Sequence, residues 1–167
     1  LTIAAHPAHA ASAKKITQEA NQALKVLYKQ NSAAKVLGKE ARAILVFPAI
    51  YKAGFMIGGQ GGDGALLKGG KAVGYYNSVA ASYGLQAGIQ TFGYALFFMN
   101  DAALAQLDAT RGFEVGVGPS IVVVDQGMGK SLTSTTLTQD VYAYIFDQQG
   151  VFAGAGIQGS KITKINR

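Results

Sequence analysis

After Lys39 the sequence becomes a series of short β-like runs punctuated by glycine: Ala43 to Phe47, Phe55 to Ile57, Ala65 to Leu67, Val73 to Tyr76, Thr91 to Met99, Phe113 to Val117, Ile121 to Val124, Thr133 to Thr138, Val141 to Phe146 and Val151 to Ile157. That spacing predicts an antiparallel meander or barrel. The 22 glycines among 167 residues follow no three-residue period and are accompanied by only 3 prolines, which excludes collagen. With 49% hydrophobic residues the chain can bury a real core, so it reads as a single folded domain. No stretch has the 18 or so uninterrupted apolar residues of a membrane-spanning helix.

The N-terminal third differs in kind. Ile16, Ala20, Ala23, Leu24, Leu27 and Tyr28 recur at three- and four-residue spacing, with Lys14, Gln18, Gln22, Lys25 and Lys29 on the opposite face. This is the pattern of a basic amphipathic helix, with Ser12 as its N-cap. A second short helical stretch, Ser32 to Leu37, ends at Gly38, a residue suited to a left-handed C-cap. One further helix is expected at Ala102 to Ala109, capped by Asn100 or Asp101. The fold class is therefore α+β: a Gly-rich antiparallel β-sheet or barrel-like body with an N-terminal amphipathic helix and one further helix.

Charge is distributed unevenly. Residues 1–52 carry Lys14, Lys15, Lys25, Lys29, Lys35, Lys39, Arg42 and Lys52 against Glu19 and Glu40, whereas the remainder has seven cations and seven carboxylates. The whole net charge of +6 belongs to the N-terminal third. Clustered cations attract anionic surfaces through their summed field. Packing of the helix on the core does not compete with this, because a docked helix still presents its lysines outward.

Several kinds of chemistry are excluded. Cysteine is absent, which removes disulfides, thiolate metal sites and cysteine nucleophiles. The two histidines, His6 and His9, precede the first helix, so no Ser-His-Asp triad can be built in the body. Gly59-Gln60-Gly61-Gly62-Asp63-Gly64 matches a dinucleotide-binding pattern literally, but Ala65 to Lys71 reads as a hairpin and not as the helix that would hold the pyrophosphate. Gly129-Lys130-Ser131 fails as a P-loop on spacing. Carboxylate pairs are the only acid–base chemistry left to the body; Glu114 and Asp125 lie on or beside successive strands, but nothing in the sequence fixes their distance and solvated hairpin carboxylates are the commoner case. The expectation is a non-enzymatic protein without metal or cofactor.

Leu1 to Ala13 is rich in Leu, Ile, Ala and Ser, with Ala8-His9-Ala10 in a small-x-small arrangement. This segment reads as a leader or signal-peptide remnant, or as a cloning scar, preceding one domain over 14–167. The first of these implies an exported, periplasmic or membrane-associated protein.

Five segments in order resemble the SYLF family: Ala43-Ile44-Leu45-Val46-Phe47-Pro48; Gly54 to Gly59 with Gly61 and Gly64; Gly74-Tyr75-Tyr76; Tyr83-Gly84-Leu85-Gln86-Ala87-Gly88; and Gly150 to Ser160. With no FYVE or Src-homology-3 segment present, the chain is most similar to the bacterial stand-alone form. The resemblance implies binding of anionic lipids, phosphoinositides in the eukaryotic members, through a basic surface and an N-terminal amphipathic helix. On this chain it carries over to Lys14, Lys15, Lys25, Lys29, Lys35, Lys39, Arg42 and Lys52. The apolar face of the helix has no Trp or Phe, so surface adsorption is expected and deep insertion is not. Some yeast relatives are associated with actin, and no residue here carries that association over. The alternatives are a structural or self-associating envelope protein and, with few aromatics or arginines among the lysines, nucleic-acid binding.

Overall fold

The computed structural model describes residues 12–55, 57–83, 89–109, 113–115, 121–124, 139–146 and 160–166. In chain order the described elements are α1 (Ala13–Gln30), α2 (Ser32–Glu40), β1 (Ala43–Phe55), β2 (Ile57–Lys68), β3 (Lys71–Tyr83), β4 (Ile89–Phe98), α3 (Asp101–Ala109), β5 (Phe113–Glu114), β6 (Ile121–Val123), β7 (Val141–Phe146) and β8 (Lys161–Ile165). The eight strands form one sheet in the order β5-β8-β3-β2-β1-β4-β7-β6. All pairings are antiparallel except β6 with β7, which is parallel. The α+β reading with an N-terminal helix holds.

The central strands are apolar on both faces, which explains their unbroken hydrophobic runs. Along β1, Ala43, Leu45 and Phe47 enter one core while Ile44 and Val46 enter another; β4 divides the same way, Tyr94, Leu96 and Phe98 against Ala95 and Phe97. The first core is the inside of a curl. The Phe98 and Phe113 rings meet edge-on with centroids 6.0 Å apart, although five strand-to-strand steps separate β4 from β5. In a flat sheet those steps would span about 24 Å. The Ser78 and Tyr94 hydroxyls likewise meet at 2.6 Å across the interior. The sheet is therefore a half-barrel, and α3 covers its concave side through Ala103 and Leu107. Asn100, one of the two expected caps, is the one that acts: its Oδ1 accepts from the Ala103 N–H at 2.8 Å.

The convex side carries α1 and α2. Ile16, Ala20, Leu24 and Leu27 of α1 pack with Ala34 and Leu37 of α2 on Ile44, Val46, Leu67 and Phe97. Ser12 caps α1 by accepting from the Lys15 N–H. Two hydroxyl bonds pin the helix at both ends. The Thr17 and Tyr75 hydroxyls lie 2.7 Å apart at its start, and Tyr144 donates to Asn31 Oδ1 at 2.6 Å at its end. Since β3 and β7 lie on opposite sides of the central pair, α1 runs across the sheet.

Three sequence readings need correction. First, glycine does not end the strands: β1, β2 and β3 run for 13, 12 and 13 residues, straight through Gly54, the Gly58 to Gly64 cluster and Gly74. The reason is Pro48. A proline in a central strand removes a ladder donor and is accommodated only at an irregularity, and the register of β1 shifts by one residue against both neighbours at this point. The bulged backbone bows onto β2. A Cβ at Gly62 would fall on the Ala49 carbonyl oxygen, and one at Gly64 on that of Val46. Second, Gly38 is no C-cap. The helix continues to Glu40, with Ala41 as its C-cap, and the Tyr28 ring occupies the place of a Gly38 side chain. Third, β6 breaks the all-antiparallel expectation. Gly69 and Gly70, at φ +59° and +83°, form the expected two-residue hairpin turn. Thr133 to Thr138, Val151 to Ile157, Asp125, Gly129 to Ser131, the two histidines and most of the leader lie outside the described residues.

Two consequences for stability follow. Gly64→Ala gains a few tenths to about 1 kcal/mol from the unfolded chain, but it places a methyl against backbone that cannot swing aside, which costs about 1–3 kcal/mol. The variant should have a lower urea midpoint than the parent chain. Burial also holds the Tyr94 phenol far above its ordinary value near 10, the Ser78 bond offsetting this only in part. Above about pH 10 the unfolded chain sheds that proton and the folded chain keeps it, so stability falls as pH rises. Urea midpoints at pH 8 and 10.5 should diverge, and Tyr94→Phe should flatten the slope while leaving Ser78 short of a partner at both pH values.

Candidate functional site

Docking of α1 fixes which residues face outward. With Ile16, Ala20, Leu24 and Leu27 buried on the sheet, Lys14, Lys15, Lys25 and Lys29 are exposed together with Gln18 and Gln22. On α2, Ala33, Ala34 and Leu37 are buried while Lys35 and Lys39, one turn apart, are exposed. Asn31 joins the two helices directly. Six lysines thus share one side of the molecule, and none of them forms an ion pair among the described residues.

The other two expected residues stand apart. Arg42 lies between α2 and β1, with its Nε 3.9 Å from Asp101 Oδ1, both groups well exposed. Such a pair contributes little to stability, but it lowers the net positive field there. Lys52 is on β1 beyond the bulge, opposite Gln60 and Gln90 in the register.

The lysines differ in what the helices themselves account for. Lys29 and Lys39 occupy last turns, where a cation complements the macrodipole. Lys14 and Lys15 occupy the first turn of α1, which has no acidic residue. A cation there opposes the dipole, so helix stability does not explain these two. A local rule broken without structural gain is the usual mark of a functional surface.

Sequence reasoning missed Lys68 and Lys71, which the charge count assigned to the neutral remainder. They are directly paired across the Gly69-Gly70 turn, both exposed. This tip borders a cavity of about 400 Å³ lined by Asn21, Leu24, Lys25, Tyr28, Gly38, Ile44, Leu67, Gly69 and Gly70. The hairpin was legible, but its approach to α1 comes only from packing. Burial pushes the Tyr28 phenol up to about 12.

Among the described residues no three His, Cys, Asp or Glu side chains gather as a metal site, and no helix is long and apolar enough to cross a membrane. Glu114 is exposed on β5. Lys14→Gln with Lys15→Gln should raise the urea midpoint slightly, by removing cations from the positive end of α1. Lys29→Gln should lower it.

No curated protein matches the chain significantly. Residues 79–167 match the model of the Ysc84 family, described as Las17-binding protein actin regulator. That match covers more than half of the chain and includes the Tyr83 to Gly88 and Gly150 to Ser160 segments. The chain therefore belongs to the Ysc84 family, the SYLF-domain family that its motifs resemble.

Proposed function

We propose that this protein is a non-enzymatic, exported or envelope-associated module that adsorbs to anionic lipid surfaces through the outward lysines of α1 and α2. The observation that carries the reading is the exposed, unpaired array of Lys14, Lys15, Lys25, Lys29, Lys35 and Lys39 on one side of the fold. A lysine near an anionic leaflet contributes about 1 kcal/mol, and the contribution fades within a Debye length. Six together suffice for reversible binding, and no single one is decisive. The first turn of α1 adds its positive dipole end to Lys14 and Lys15.

Adsorption fits better than insertion. The apolar face of α1 is already occupied, with Ile16 and Leu27 each 2% exposed. Burying that face in a membrane would first require undocking it from the sheet, at the expense of the whole convex core. Lysine also suits delocalised attraction better than bidentate recognition of a single phosphate, for which arginine is the better residue. Phosphoinositides, the ligands implied by the eukaryotic relatives, fall within this class. The family description also names Las17 binding and actin regulation, and no surface of this chain is assigned to either.

The test is co-sedimentation with phosphatidylcholine vesicles and with vesicles that also contain an anionic lipid, at low and high salt. The intact chain should bind only the anionic vesicles and release them in high salt. The variant with Lys14, Lys15, Lys25 and Lys29 changed to Gln should lose most of the binding. Failure to bind either vesicle would sink the reading in favour of a structural or self-associating role, and salt-independent binding would point to an apolar contact.

A further inference from the structure

We propose that the groove between α1 and the bulge of β1 is a binding site for an uncharged saccharide, with the Phe146 ring as its platform and the amides of Gln18, Gln22 and Gln30 as its hydrogen-bonding wall. The inference is independent of the lipid-surface reading, because no lysine lines this groove.

Three observations converge on it. The first is the wall. Gln18, Gln22, Val26 and Gln30 follow one another along α1 at four-residue steps, which makes each side chain a neighbour of the next. All four are exposed, and Val26 is a large apolar side chain left 37% open to solvent. Neither the three amides nor the Glu19 carboxylate beside them is engaged in a side-chain hydrogen bond or ion pair among the described residues. The second is the platform. Phe146, at the end of β7, is paired with Gly93 of β4, where an added Cβ would fall on the Phe146 ring. The glycine lets the ring rest against the sheet, and the ring is half-buried and lines the groove. The third is the bulge. Pro48 and Ala49 stand opposite no residue of β2 or β4 in the register, and they complete the floor.

Donor set and charge select the ligand class. A glutamine amide both donates and accepts, and so does a sugar hydroxyl, so a row of amides can satisfy a row of hydroxyls in either sense. A pyranose also has an apolar C–H face, which suits the Phe146 ring and the Val26 and Pro48 side chains. Glu19 is the one charged residue in the lining, which disfavours an anion. An acyl chain laid here would cover the amides without pairing them. An extended peptide adds to a free strand edge, whereas the floor at Pro48 and Ala49 lies between β2 and β4 in the interior of the sheet. The volume, about 570 Å³, is within the range of small-molecule sites and has room for a disaccharide.

The experiment titrates the full chain with maltose, cellobiose and diacetylchitobiose and follows the backbone amide signals of Val26, Ala49 and Phe146 by NMR. At least one of the three sugars should saturate these signals, with a Kd of about 1 mM that high salt leaves unchanged. Gln18→Ala with Gln22→Ala lies on an exposed helix face and improves helix propensity, so the variant should fold. It should weaken binding by about tenfold. Phe146→Leu, which keeps an apolar side chain over Gly93 but no flat ring, should also weaken it. Changing Lys14, Lys15, Lys25 and Lys29 to Gln should leave sugar affinity unchanged, so that loss of the saccharide site and loss of lipid adsorption are read separately. Saturation by none of the three sugars would overturn the proposal. So would a sugar affinity indifferent to the two Gln changes, or saturation of the same signals by hexanoate instead.

Discussion

Burial of the central strands on both faces is the constraint on which everything else depends. In β1, neighbouring residues Leu45 and Val46 are both fully buried, yet they belong to different cores. A sheet with two apolar faces needs two covers. Curling supplies much of one, bringing Phe98 against Phe113, and α3 completes it. The other must come from outside the sheet, and α1 with α2 is the only helical material left among the described residues. The basic helix is therefore no appendage; the convex core requires its apolar stripe.

That requirement orients the charge. A helix docked through Ile16, Ala20, Leu24 and Leu27, and fixed at Thr17 and Asn31, has no freedom to roll. Its lysines point outward because its leucines point inward, and the free energy that holds the array comes chiefly from apolar burial, about 25 cal/mol per Å². A surface built this way can lose or gain individual lysines without loss of the fold. Its electrostatics and its stability are nearly separate properties, coupled chiefly at the helix ends, where Lys14 and Lys15 oppose the dipole and Lys29 and Lys39 complement it.

The helices and the curled body were legible because their signals are local: the spacing of Ile16, Ala20, Leu24 and Leu27, the Ser12 cap, and the Gly69-Gly70 turn. Strand lengths were not, because glycine has two opposite uses in a sheet. At Gly69 it permits a positive φ and ends a strand; at Gly62 and Gly64 it makes room for a neighbouring backbone and lets the strand continue. The two are indistinguishable without the partner strand. Gly38 was misread for the same reason, since the Tyr28 ring that demands it lies on another helix. The candidate site divides likewise. The lysines of α1 and α2 could be counted from the chain, while the approach of the Gly69-Gly70 turn to α1 comes only from the fold.

Pro48 is the common origin of these features. By denying β1 one ladder donor it forces the bulge, and the bulge forces glycine at 62 and 64, where its carbonyls approach. Gly93 meets the same bulge from the other side, where an added Cβ would stand 2.8 Å from the Pro48 carbonyl oxygen. Classic bulges raise local twist and bend a strand, which is what a central strand must do if the sheet is to curl far enough for β4 to reach β5. The glycine-rich composition that dominates the sequence is thus, in this part of the sheet, a consequence of curvature. Curvature in turn makes a convex back for α1 to cross, so a proline in β1 and a row of lysines on a helix belong to one chain of cause.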